Sequence, residues 1–190
     1  MRTTLMAATL ALAAISSAHA DTFVLPADGS WAEFGVDTVA LGNPGWMFFK
    51  PQQQGGDIAT PLSFSVAIPV GYIGTLTVVD RVISGDTFTV TDNGSTLGVT
   101  GSATAGGFAF DADAALADPA FSRGVFTLTA GSHLISGSLL QSAVDPDFGP
   151  LNATLGSVNL TLSAVPEPAS VATLLIGLGL LAGATRRRKA

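Results

Sequence analysis

Along residues 21–163 the hydrophobic positions recur every second residue, in short runs broken by glycine, asparagine, aspartate and proline. In LSFSVAI, residues 62–68, Leu62, Phe64, Val66 and Ile68 share one face and Ser63, Ser65 and Ala67 the other. That spacing marks a half-buried strand, because successive side chains of extended backbone point to opposite sides. DTFTVTDNGSTLGVT, residues 86–100, repeats it: Phe88 and Val90 alternate with threonines, and Leu97 and Val99 alternate again after Asn93-Gly94. Asn-Gly between two such runs predicts a tight hairpin, since both residues tolerate positive φ. GVFTLTAGSHLISGSL, residues 124–139, repeats that logic, with Phe126 and Leu128 ahead of a turn centred on Gly131. Val158, Leu160 and Leu162 line one face of a last run. GTLTVVDRVI, residues 74–83, is apolar on both faces and predicts a central or doubly covered strand.

Other stretches break the period. DADAALADPAF, residues 111–121, predicts one short helical segment that ends before Pro119. PGWMFFKPQQQGGDIATP, residues 44–61, predicts a strand and then a long polar loop, with Trp46, Phe48 and Phe49 facing the core. AVDPDFGPLN, residues 143–152, predicts a loop before the last strand. Short strands punctuated by turns predict an all-β fold, an antiparallel two-sheet sandwich of jelly-roll-like arrangement.

The two ends obey another rule. Residues 1–20 run from Arg2 through LMAATLALAAI to SAHA. A basic start, a short apolar run and a small-residue end predict a secretory signal-peptide helix, cut between Ala20 and Asp21. At the other end VPEPAS opens an apolar stretch that closes on Arg186, Arg187, Arg188 and Lys189. Residues 169–185 are 17 positions without a charge. As a helix they would span about 26 Å against about 30 Å of bilayer hydrocarbon, which predicts a C-terminal transmembrane helix. The basic tail would stay on the cytoplasmic side. The chain thus divides into three segments: signal peptide 1–20, β-sandwich 21–163, and a C-terminal segment 164–190.

Setting the ends aside changes the charge. The whole chain carries −6, with a mean hydropathy of +0.49. The middle keeps only Lys50, Arg81 and Arg123 against thirteen carboxylates, a net −10. That excludes a nucleic-acid partner, which needs a basic footprint. The chain has no cysteine, so thiol catalysis and cysteine-ligated metals are excluded and the core alone must hold an exported domain together.

Pro166-Glu167-Pro168, a glycine-containing apolar helix and the basic Arg186–Lys189 cluster together resemble the PEP-CTERM sorting signal. The resemblance implies an exported protein of an exopolysaccharide-producing Gram-negative bacterium. It implies recognition by an exosortase, a transient stay in the inner membrane, loss of the tail, and release to the cell surface or extracellular matrix. Within the middle, GDTFTVTDNGSTLGVT and DPAFSRGVFTLTAGSHLISGSL resemble a segment that recurs in PEP-CTERM proteins of unknown function. That second likeness brings no activity with it.

Candidate chemistry in the middle is sparse. Asp80, Asp86 and Asp92, spaced by six, are candidate calcium ligands, since calcium takes six to eight oxygens. Asp111, Asp113 and Asp118, and Asp145 with Asp147, are further loop carboxylates. His133 is the one histidine outside the signal peptide and is expected to tie down a loop near Ser122 or Asp118. No Gly-x-Ser-x-Gly elbow is present, and Glu33 is the one glutamate before the C-terminal segment. The expectation is a non-enzymatic module, structural or binding an exopolysaccharide. The alternatives are a secreted hydrolase using an aspartate pair or His133, and a permanently tethered surface protein.

Overall fold

The period-two runs become strands in a computed structural model, which describes residues 21–48 and 59–165 and three helical positions, Thr173, Ile176 and Leu178. One sheet is built from β1 (Asp21–Val24), β4 (Leu62–Ile68), β10 (Gly131–Gln141), β6 (Thr87–Asp92) and β7 (Ser95–Val99), in that spatial order. The other is built from β3 (Asn43–Met47), β2 (Ala32–Asp37), β13 (Ala153–Ala164), β5 (Tyr72–Ile83) and β9 (Arg123–Leu128). β3 also touches β10 at Gly45–Ser138, so the two sheets join along one side. The mostly β reading therefore holds, with two sheets closing on one interior.

That interior draws on the inward positions of both sheets. Phe34 and Val36 of β2, Leu76 and Val78 of β5, and Val158 and Leu160 of β13 meet Phe64 and Val66 of β4, Phe88 of β6 and Ile135 of β10. At its centre the Phe34 ring stacks on Trp46 at 4.0 Å, and Phe88 meets Phe34 edge-on at 5.1 Å. Two glycines make room for this stack. A Cβ on Gly156 would stand 2.2 Å from the Phe34 ring, and one on Gly137 would stand 2.5 Å from Trp46. Each ring thus lies against bare backbone of a neighbouring strand, where no other residue fits.

β5 is covered on both sides, as its apolar sequence requires. Val78 faces the main core, while Val79 faces a second cluster with Ala112, Ala115 and Phe121. That cluster sits under the short helix α1 (Ala112–Ala117), which Asp111 caps by accepting the Ala114 N–H at 2.9 Å. The helix stops at Asp118, ahead of Pro119. Beyond Arg81, β5 leaves β13 and pairs with β8 (Phe108–Ala109). Val82 makes that turn with φ of +70°, a conformation that a β-branched residue rarely adopts.

Four expectations need correction. The sheets are not wholly antiparallel: β1 pairs parallel with β4, which a hairpin could not join but a long excursion through β2 and β3 can. β9 and β10 are not a hairpin, because β9 pairs with β5 and β10 with β4 and β6, so the link at residues 129–130 crosses between sheets. Val99 is exposed where Leu97 packs on the core, since Thr91 faces Thr96 while Val90 already faces Gly98, and the extra residue reverses the alternation. Residues 143–152 contain a small hairpin, β11 (Val144–Asp145) with β12 (Gly149–Pro150).

The expected signal peptide, Phe49 with residues 50–58 of the polar loop after it, the Pro166–Pro168 motif and the Arg186–Lys189 tail lie outside the described residues. So does most of the expected membrane helix. Among the described residues, no helix is long and apolar enough to cross a membrane.

Candidate functional site

The three aspartates expected to form one calcium site do not meet. Asp86 precedes β6 and Asp92 ends it, and six residues of strand separate their backbones by about 20 Å. Asp80 joins Asp86, because the chain turns back at residues 84–86: the N–H groups of Gly85 and Asp86 both donate to Asp80 Oδ2 at 3.2 Å. Asp92 is instead engaged by His133. Among the described residues no three His, Cys, Asp or Glu side chains converge as a metal site.

Asp80 and Asp86 are enclosed, with 0% and 2% of their surface exposed. Asp86 Oδ1 accepts the Ala143 N–H at 2.8 Å. Asp80 Oδ1 is buried with no hydrogen-bond partner among the described residues. Burial first, and the Asp86 charge second, push the Asp80 carboxyl up to about 8, although three backbone N–H groups pull the other way. Burial raises Asp86 as well, against the donors that hold it. At neutral pH burial thus favours the protonated form of Asp80.

At the far end of β6, Asp92 Oδ2 lies 2.7 Å from His133 Nδ1, and Asp92 Oδ1 accepts the Leu134 N–H at 3.2 Å. His133 Nε2 lies 2.8 Å from the Thr129 carbonyl oxygen. A carbonyl only accepts, so Nε2 donates; both nitrogens donate together in the imidazolium form, which this pair of acceptors favours. Burial pulls the His133 pKa down, but the bonds to Asp92 and Thr129 and the Asp92 charge outweigh it and leave it raised. The expected neighbours of His133 are elsewhere: Ser122 shares a hydrogen with Thr100 at 3.0 Å, and Asp118 accepts from the Ala120 N–H.

Two further loop carboxylates have local tasks. Asp113 accepts the Trp31 indole N–H at 2.8 Å, and Asp145 accepts the N–H groups of Asp147 and Phe148. Residues 85–100 and 118–139 are spent on the same kind of contact: Asp86, Asp92, Asp118, Phe121, Ser122 and His133 are all engaged within the fold.

One feature escaped the sequence reading. Arg81 comes directly after Asp80 and points to the opposite face of β5. There its Nη1 donates to Glu33 Oε1 at 2.6 Å and to Ser157 Oγ at 2.9 Å. The charged dipeptide Asp80-Arg81 inside an otherwise apolar strand was the available signal. Arg81 and Glu33 form part of the wall of a cleft of about 400 Å³, together with Trp31, Phe110, Asp111 and Ser30. A second, more apolar cleft of about 300 Å³ lies around Met47, Val82, Ile83, Asp86 and Leu155.

The molecule so described is an acidic β-domain whose last strand leads straight into a C-terminal segment of different composition. Residues 164–189 match the PEP-CTERM protein-sorting motif. The motif implies a protein exported through the membrane to the cell surface or beyond and processed by an exosortase. No curated protein matches the chain.

Proposed function

We propose that this chain is the cargo of an exosortase, delivered to the cell surface or matrix of an exopolysaccharide-producing bacterium, and that its sandwich binds matrix material without catalysis. The observation that carries the reading is the position of the sorting motif. Its first residue, Ala164, is also the last residue of β13, and the Val165 N–H makes a final bond to the Gly71 carbonyl at 2.8 Å. Cleavage beyond Val165 therefore takes none of the strands β1 to β13 from the domain. At the other end β1 begins at Asp21, the residue that signal-peptide cleavage would leave first.

A jelly-roll-like sandwich offers such a module concave surfaces, and the polar cleft beside Trp31 is the one suited to a hydrophilic polymer. The hydrolase alternative is less well supported. Both nitrogens of His133 are engaged, and although Asp86 lines the second cleft, Asp80 does not, so the Asp80–Asp86 pair does not face across it. Intact-mass measurement of the exported protein tests the reading. The expected species starts at Asp21 and lacks the apolar helix and basic tail. Recovery of a surface species that still ends in Ala190 would favour permanent tethering instead.

A further inference from the structure

We infer that the cleft beside Trp31 is a saccharide site selective for neutral sugars; this rests on the binding role proposed above and names its ligand class and residues. The cleft lies on the outer face of the second sheet. Glu33 of β2 and Arg81 of β5 line it from the sheet, Ser30 and Trp31 from the link into β2, and Phe110 and Asp111 from the link into α1. Its volume, about 400 Å³, falls within the range of small-ligand sites.

A pyranose ring has two kinds of surface, an apolar C–H face and a rim of hydroxyls. The cleft presents a partner for each. Phe110 is 66% exposed, and Phe108 beside it is 64% exposed, their rings meeting edge-on at 4.9 Å. Two adjacent phenylalanines held in water are a costly surface unless something apolar covers them. Trp31 is fixed in place by its indole bond to Asp113 and by packing on the cluster under α1. A ring that is already immobile loses little entropy when a sugar stacks on it. For the hydroxyl rim, the cleft offers the exposed Asp111 carboxylate as acceptor; Glu33 lines the wall beside it with its Oε2 buried. Each is oriented by a bond of its own, Glu33 to Arg81 and Asp111 to the start of α1.

The charge selects among sugars. Among the described residues Arg81 is the sole cation lining the cleft, and it is already paired with Glu33. A uronate or sulfate entering there would face Glu33 and Asp111, with Asp113 close by, in a domain of net charge −10. Like-charge approach of this kind is a device for rejecting a ligand. A neutral sugar meets no such penalty and supplies a hydroxyl donor to Asp111.

The test uses the exported, processed protein and the producing strain's own exopolysaccharide. The polymer is partially hydrolysed and divided by anion exchange into neutral and acidic oligosaccharides, and each pool is titrated calorimetrically. The neutral pool is expected to bind. Phe110→Ala is expected to weaken that binding about tenfold, as truncating a central aromatic contact does. Phe110 is exposed, so an unchanged melting temperature of this variant separates lost binding from lost folding. Trp31→Phe, which keeps a ring but loses the Asp113 bond, is expected to weaken it less. Preference for the acidic pool overturns the selectivity. Binding unaffected by both substitutions overturns the cleft assignment and leaves the proposed binding function standing. No binding by either pool removes both.

Discussion

The two ends of β6 carry the same side chain in opposite circumstances. At one end Asp92 faces a cation, and its two oxygens take the His133 ring and a backbone N–H. At the other end Asp86 faces another carboxyl group, and Asp80 keeps one oxygen buried without a partner among the described residues. The backbone differs in the same way. Beyond Asp92 the positive φ angles fall on Asn93 and Gly94, at +50° and +79°, which those residues adopt cheaply. Beyond Asp80 a positive φ of +70° falls on Val82, which does not. One end is built from compatible parts, and the other holds two enclosed carboxyl groups that cannot both ionise cheaply and a strained backbone within one turn. Spacing along the chain is therefore a poor guide to how an aspartate behaves; its burial and its nearest partner decide.

The largest expected effect lies at the strained end. The folded Asp80 pKa is raised from an ordinary 3.8 to about 8, so between those values the folded state holds a proton that the unfolded chain has lost. Stability then falls as pH rises through that window, by up to about 1.4 kcal/mol per pH unit. Urea unfolding from pH 4.5 to 9 is expected to show this decline in the wild type. Asp80→Asn, which stays neutral and keeps an acceptor for the Gly85 and Asp86 N–H groups, is expected to flatten it. A variant curve parallel to the wild type would show that Asp80 ionises normally.

A smaller effect belongs to the compatible end. The folded His133 pKa lies above its ordinary value of 6.5, so the stability it contributes is fully present below pH 6.5 and is lost as pH rises through the folded pKa. His133→Gln, which cannot carry the charge, is expected to cost about 1–2 kcal/mol at pH 5.5 and little at pH 9. The two ends are thereby distinguishable by pH alone. Decline between pH 4.5 and 6 reports the Asp80–Asp86 pair, with Asp80→Asn isolating the Asp80 share, and the His133 contribution fades only above that range. A His133→Gln cost that is constant with pH would mean that the ring is a neutral spacer rather than an imidazolium.

How much of this was legible depends on whether local pattern or tertiary pairing decides. Strand β4 was readable residue by residue, because Leu62, Phe64, Val66 and Ile68 must share a face whatever the strand pairs with. The Asn93-Gly94 hairpin and the capped helix after Asp111 were equally local. The parallel partner of β1 and the crossing between β9 and β10 were not, since a strand's neighbour is set by the whole fold. The candidate site shows the same division. Asp80, Asp86, Asp92 and His133 stood out in the sequence as residues to watch, but which of them would meet did not. His133 lies 41 positions from Asp92, and Arg81 lies 48 from Glu33. The cleft depends on three separate segments converging and had no signature in any one of them.

The smallest expected effect tests whether the strained end is strained through its backbone as well as its charges. Val82 occupies left-handed φ, which costs an ordinary L-residue about 1–2 kcal/mol, and its branched Cβ makes the fit worse. Glycine has no such penalty, but it gains freedom in the unfolded chain and gives up the packing of a half-buried side chain. The terms oppose each other, and the net expected for Val82→Gly is a gain of about 0.5–1 kcal/mol at pH 5.5, where Asp80 is protonated. Val82→Ala keeps a Cβ and should recover less of it. The pH slope should survive both changes, because neither touches Asp80 or Asp86. If Val82→Gly instead lowers stability while leaving that slope intact, the positive φ is offset by contacts of the valine itself, and the contrast between the two ends reduces to their charges.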